Sequence, residues 1–124
     1  SWVGNLLNYI AEESNTKEQL LKSFDYLNDW LTSVNFRGCG FQNIITDLPK
    51  DQQKIKDQVV LHKNELRKWI HGLLKESPEY TTKNTAQLGD QILVLMEGSI
   101  ILSQIQKNNW PITAAKITCE TLLT

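Results

Sequence analysis

Chemistry in a helical protein starts from a few titratable or nucleophilic side chains, and here the candidates are His62, His71, Cys39 and Cys119 with their nearby acids. A di-iron bundle places a Glu three residues before a His on one helix face. Neither histidine has one: Val59 and Lys68 hold those positions, and His62-x-x-Glu65 runs in the opposite order. His71 falls on a different helix face from His62, so the two cannot share an ion along one helix. A cysteine nucleophile needs a base within reach, and Cys39 meets His62 only if the fold brings them together. Zinc sites need closely spaced ligands, whereas Cys39 and Cys119 stand 80 residues apart. They read as two reduced thiols of a cytoplasmic protein. No acid–base pair, ligand set or phosphate loop can be assembled, so the expectation is no enzyme, no metal and no cofactor. His62 keeps two readings: a buried neutral histidine bonded to a neighbour, or part of a pocket wall.

The 124 residues amount to one domain, 1–124, and such a chain buries roughly two thirds of its unfolded surface. Hydrophobic residues at 40% and charged residues at 22% give an ordinary globular balance. The net charge of −1, with lysines spread among acids, offers no footprint for nucleic acid or an anionic membrane. The opening SWVGNLLNYIAEES lacks the basic region of a signal peptide. Its apolar rhythm (Trp2, Val3, Leu6, Leu7, Ile10) begins with no evident N-cap, as if the chain started inside a helix with a segment missing upstream.

The elements that must position these residues are all helical. A first helix is expected from about Trp2 to Glu12. Asn15 and Thr16 then cap a second, with Thr16 and Gln19 at capping-box spacing and Leu20, Phe24, Leu27, Leu31 and Val34 on one face. Trp30 flanks that stripe. Glycines at 38 and 40 break the pattern, and a short helix follows from about Phe41 to Asp47. Asp51 opens the longest helix, to about Glu76, with Ile55, Val59, His62, Leu66, Trp69, Ile70 and Leu73 on one face. After a polar loop, Asn84 or Thr85 starts a helix to about Gln106 that is apolar nearly all round. Asp90, Glu97 and Gln104 form its one polar row, spaced by seven. Two acids in the middle argue against a membrane span.

A helix apolar all round must be covered all round, so it needs its own domain on one side and a partner on another. Asn109-Trp110-Pro111 starts a last helix. Ile112, Ala115, Cys119, Leu122 and Leu123 form one face of it; Ala114, Ile117, Thr118 and Thr121 form a small, uncharged second face. The last two helices therefore read as a self-association surface, a four-helix bundle across a two-fold axis. Leu93, Glu97, Ile100 and Ile101 are its expected contribution from the first of the two. The polar row either faces water or meets its mate, where its carboxylates would need partners.

Phe36-Arg37-Gly38-Cys39, Gly40-Phe41-Gln42-Asn43, Ala86-Gln87-Leu88-Gly89-Asp90-Gln91 and Glu97-Gly98 fall in an order that resembles the regulatory domain of the TetR/AcrR family of bacterial transcriptional repressors. Gly40 stands where a proline is frequent in that family. The resemblance covers essentially the whole chain. It implies an all-α bundle of about six helices, a homodimer through the last two, and a small-molecule effector whose binding releases operator DNA. It places DNA recognition in an N-terminal helix-turn-helix head, which does not precede Trp2 here, and makes the first helix the remainder of the connecting helix. The implied sensor cavity is walled by Trp30, His62, Leu66 and Trp69. Asn43 and Gln91 would supply polar groups to it, and Leu95 and the adaptable Met96 would complete it. Without a pocket, the same helices make an adaptor bundle that binds another protein.

Overall fold

The computed structural model describes residues 1–37 and 53–124. These form five α-helices and no strand: α1 (Trp2–Tyr9), α2 (Thr16–Ser33), α3 (Gln53–Glu76), α4 (Thr85–Gln106) and α5 (Trp110–Leu122), with a 3-10 turn at Pro78–Tyr80. The chain is thus an all-helical bundle over its described length. The short helix expected near Phe41 to Asp47, Cys39, Asn43 and the expected start at Asp51 lie outside the described residues.

Capping chemistry sets most of the boundaries. Ser1 corrects the expectation of a capless start: its hydroxyl accepts from Gly4 N–H at 3.0 Å, satisfying an orphan donor of the first turn. The first helix stops at Tyr9 rather than Glu12, because Glu12 and Glu13 would place negative charge at a helix C-terminus. Asn15 caps α2 through Glu18 N–H at 3.2 Å. Gln19 does not close a capping box with Thr16; its side chain reaches back to the Glu13 carbonyl. After Val34 the backbone turns left-handed at Asn35 and Phe36, and Phe36 N–H closes on the Leu31 carbonyl at 2.7 Å. Asn84 caps α4 through Gln87 N–H at 3.1 Å, and Pro111 sits in the first turn of α5, where a missing N–H costs nothing.

The core lies where α2 crosses α4 and α5. Leu20, Phe24, Leu27 and Leu31 from α2 meet Ile92, Met96 and Ile100 from α4 and Ile112, Ala115 and Cys119 from α5, all buried. From α3, Leu66, Ile70 and Leu74 are buried, while His62, Trp69 and Leu73 are half-buried at the edge. α4 packs on α3 along one side and on α5 along another. By length and composition α4 is apolar enough to cross a membrane. Both of its acids, however, engage side chains of α3 within the bundle.

Polar clasps fasten α5 along its length. Asn109 bonds Asn28 at 3.1 Å, and Lys116 pairs with Asp25 at 2.8 Å. At the far end, Tyr80 Oη donates to the Leu123 carbonyl at 3.1 Å. Lys83 Nζ donates to the carbonyls of Leu122 and Thr124 at 3.4 and 3.1 Å. The α1–α2 pair is held by Tyr9 Oη on Asp29 at 2.6 Å, which with burial raises the Tyr9 pKa to about 12.

Candidate functional site

Three regions carry the side chains that matter, and they do not coincide. The first is an aromatic cluster built around Trp2. Its indole lies edge-on to Tyr26, Trp30 and His62, with ring centres 5.3, 5.5 and 5.6 Å away, so α1 touches both α2 and α3 there. Burial lowers the His62 pKa, with Lys63 adding to the shift, which keeps the imidazole neutral near pH 7. Among the described residues, Trp2 Nε1 is buried with no hydrogen-bond partner, and so are Ser103 Oγ and Gln104 Oε1 on α4. The helix pairings set these atoms at one end of the bundle. Lys63 faces Glu97, so the turns of α4 beyond Glu97 run beside the turns of α3 that precede Lys63. The Asn28–Asn109 bond brings the last turns of α2 to the α4–α5 junction. An orphaned buried polar group costs about 1–3 kcal/mol, which any guest that pairs with it recovers.

The second region is the α3–α4 seam. Arg67 grips Asp90 with two parallel bonds, Nε to Oδ1 at 2.7 Å and Nη2 to Oδ2 at 2.9 Å. His71 Nε2 meets the same Oδ1 at 2.7 Å. These two partners hold the Asp90 carboxyl well below the usual carboxylate range. One turn further, Lys63 pairs with Glu97 at 3.0 Å. Gly89 makes room for the arrangement, since a Cβ there would sit 2.5 Å from His71 Cδ2. Two members of the seven-spaced row, Asp90 and Glu97, thus meet α3, where Lys63, Arg67 and His71 recur at four-residue spacing, while the Asp90 side chain stays partly open to water.

The third region is the outward face of α4 and α5. Val94 is 69% exposed, Ile105 66%, Ile117 61% and Trp110 50%. Between them run Gln87, Gln91, Gly98 and Leu102 on α4, and Ala114, Thr118 and Thr121 on α5, none of them charged. Two shallow grooves lie in this face. The larger, about 620 Å³, is lined by Gln87, Asp90, Gln91, Val94, Leu95, Thr118 and Leu122, so one carboxylate, the one Arg67 grips, borders it. The smaller, about 260 Å³, runs past Gly98 and Leu102 to Trp110 and Ala114.

The expected site residues are dispersed among these regions. Trp30 and His62 meet at Trp2, but Leu66 and Met96 are fully packed core. Trp69 lies instead in a groove between α1 and α3 with Val3, Leu7 and Leu73. Gln91 does not face the core: it is exposed, and with Leu95 it lines the outer groove, because α5 covers a different side of α4. Asn43 lies outside the described residues. Of the expected interface residues, Ala114, Ile117, Thr118 and Thr121 are exposed on α5. On α4, Ile100 is buried in this domain's own core and Glu97 is engaged by Lys63, which removes both from an outward face. Leu93 and Ile101 are half-buried. The free line of α4 passes instead through Val94, Gly98 and Ile105. Trp2, Ser103 and Gln104 escaped the sequence reading as site residues. Ser99 and Ser103, four apart on the inner row of α4, were the available signal.

Among the described residues no three His, Cys, Asp or Glu side chains stand close enough to hold a metal ion. Cys119 is buried, and burial pushes its thiol up to about 12, so it is inert as a nucleophile. No family model, curated protein or solved structure matches this chain.

Proposed function

We propose that this chain is the ligand-sensing and dimerising domain of a TetR-type transcriptional repressor. The observation that carries the reading is the exposed apolar strip of Val94, Leu102, Ile105, Trp110 and Ile117 on α4 and α5, of the kind that marks an association site. A second copy covers that strip, and four helices then share one core. The aromatic end around Trp2 supports the sensing part, because neutral rings and unpaired polar atoms together suit a small, mostly apolar effector. A guest that bonds Trp2 Nε1 acts directly on α1, which also contacts Trp30 and His62. Its binding would favour one placement of α1 over another, a population shift between two states. In this reading operator DNA is gripped by a helix-turn-helix head outside this sequence, and the domain performs no catalysis.

Native mass spectrometry of the purified chain tests both parts at once. The expected result is a dimer that retains a small molecule, and Trp2→Phe, which keeps the ring but deletes the donor, should lower the retained fraction. Ile117→Arg should give a folded monomer, since that side chain is exposed in the single chain and faces the proposed partner. A wild-type monomer that retains nothing overturns the reading and leaves a helical adaptor whose apolar face serves a different protein.

A further inference from the structure

The two ends of the outward face differ. One end carries a projecting side chain, Trp110, half-exposed at the start of α5. The other end carries the larger groove, with apolar walls from Val94, Leu95 and Leu122, two glutamines, Gln87 and Gln91, and the Asp90 carboxylate already engaged by Arg67 and His71. Gly98 lies midway, with no atom within 4 Å of where its Cβ would be. Gln91 is seven residues to one side of it and Ile105 seven to the other, about 10 Å each at 1.5 Å per residue. Trp110 stands at the Ile105 end, directly after the three-residue connection from α4 to α5.

We propose that the larger groove is the socket for the Trp110 indole of a second copy. The inference rests on the dimer reading above and specifies how the two copies meet. A two-fold axis lying in the plane of the face and crossing the helices near Gly98 exchanges the ends, so each Trp110 falls over the partner's Gln91 end at the matching distance. An axis along the helices would instead set Trp110 against Trp110 and leave groove facing groove. Only the first arrangement fills both voids, and by symmetry it does so twice. The chemistry agrees. The ring meets Val94, Leu95 and Leu122, and the indole N–H meets an amide oxygen of Gln87 or Gln91 at the rim. A central aromatic anchor in a desolvated pocket is the usual carrier of interface energy. Gly98 lets the two α4 helices cross closely at the axis.

The test is the dimer dissociation constant of the full chain by sedimentation equilibrium, with folding followed by circular dichroism. Trp110→Ala should weaken the dimer at least about 30-fold, the loss expected for a hot-spot aromatic. Gln91→Trp, which fills the groove from its own chain, should weaken it comparably. The double variant should be clearly less impaired than the product of the two single effects, because the second change acts on a contact already gone. A wild-type dimer whose affinity is unchanged by either variant overturns the socket and leaves the dimer reading standing. So do single effects that simply multiply in the double variant. A wild-type monomer at high concentration overturns both.

Discussion

The two sides of α4 solve opposite problems with the same kind of sequence. On the α3 side, two acids of this apolar helix meet Lys63, Arg67 and His71, and the helices are locked in register by directional bonds. On the outward side Val94, Gly98, Leu102 and Ile105 carry no charge, Asp90 at the groove edge is already taken up by α3, and register is left open for whatever covers them. The difference teaches that the few polar residues of a nearly apolar helix need not mark its wet face. Here they mark the seam where a neighbour carries the opposite charge, and the face most exposed in the single chain is the least polar.

Substitutions two residues apart on α4 give the largest expected contrast. Met96→Ala, on the inner row and 1% exposed, should lower unfolding free energy by about 2–5 kcal/mol in urea titrations. Val94→Ala should stay within about 0.5 kcal/mol in a monomeric background such as Ile117→Arg. Equal costs would mean that the outward face is packed within one chain, and the comparison would collapse.

The two glycines of α4 sharpen it further. Gly89→Ala drives a Cβ into His71, and overpacking of that kind costs about 1–3 kcal/mol, more than the roughly 1 kcal/mol that alanine gains in a helix. Gly98→Ala meets nothing and should stabilise the monomer by up to about 1 kcal/mol. Opposite signs on one helix would confirm that one side is closed and the other open; matching signs would deny it.

The smallest effect concerns pH. Burial holds the His62 pKa below its ordinary 6.5, so the unfolded chain takes up that proton first. The contribution of His62 to stability is therefore present above pH 6.5 and lost as pH falls below it. Urea midpoints measured from pH 8 to pH 5 should decline, and His62→Phe should flatten that decline. An unchanged decline in the variant would place the titrating group in the seam rather than in the aromatic cluster.

Much of the architecture was legible in the sequence because helix boundaries are written in local chemistry. Asn15, Asn84 and Pro111 mark their helix starts, and Leu20, Phe24, Leu27 and Leu31 declare their buried face by spacing alone. The facing of α4 was not legible, since a helix apolar on every side gives no direction for its core. The partners of Asp90 and Glu97 lay 19 to 34 residues away on α3, where only the four-residue recurrence of Lys63, Arg67 and His71 hinted at a match. Candidate-site residues suffered for the same reason. Gln91, expected toward the core, is exposed and Ile100, expected outward, is buried, whereas the outward facing of Ala114, Ile117 and Thr118 was readable because the shorter α5 has one plainly apolar face and one plainly small one. Trp2 was read as rhythm, and nothing local announces that its indole will meet His62.

The clasps on α5 have a consequence for association. Asn109 and Lys116 tie the helix to α2, and Tyr80 with Lys83 closes on the carbonyls at its end, so α5 is held along its whole length. Ordering a loose helix at the moment of encounter would subtract from affinity. A helix already fixed presents Trp110 and Ile117 in place before the encounter, and the surface meets its partner as a rigid plate, with that entropy spent in folding.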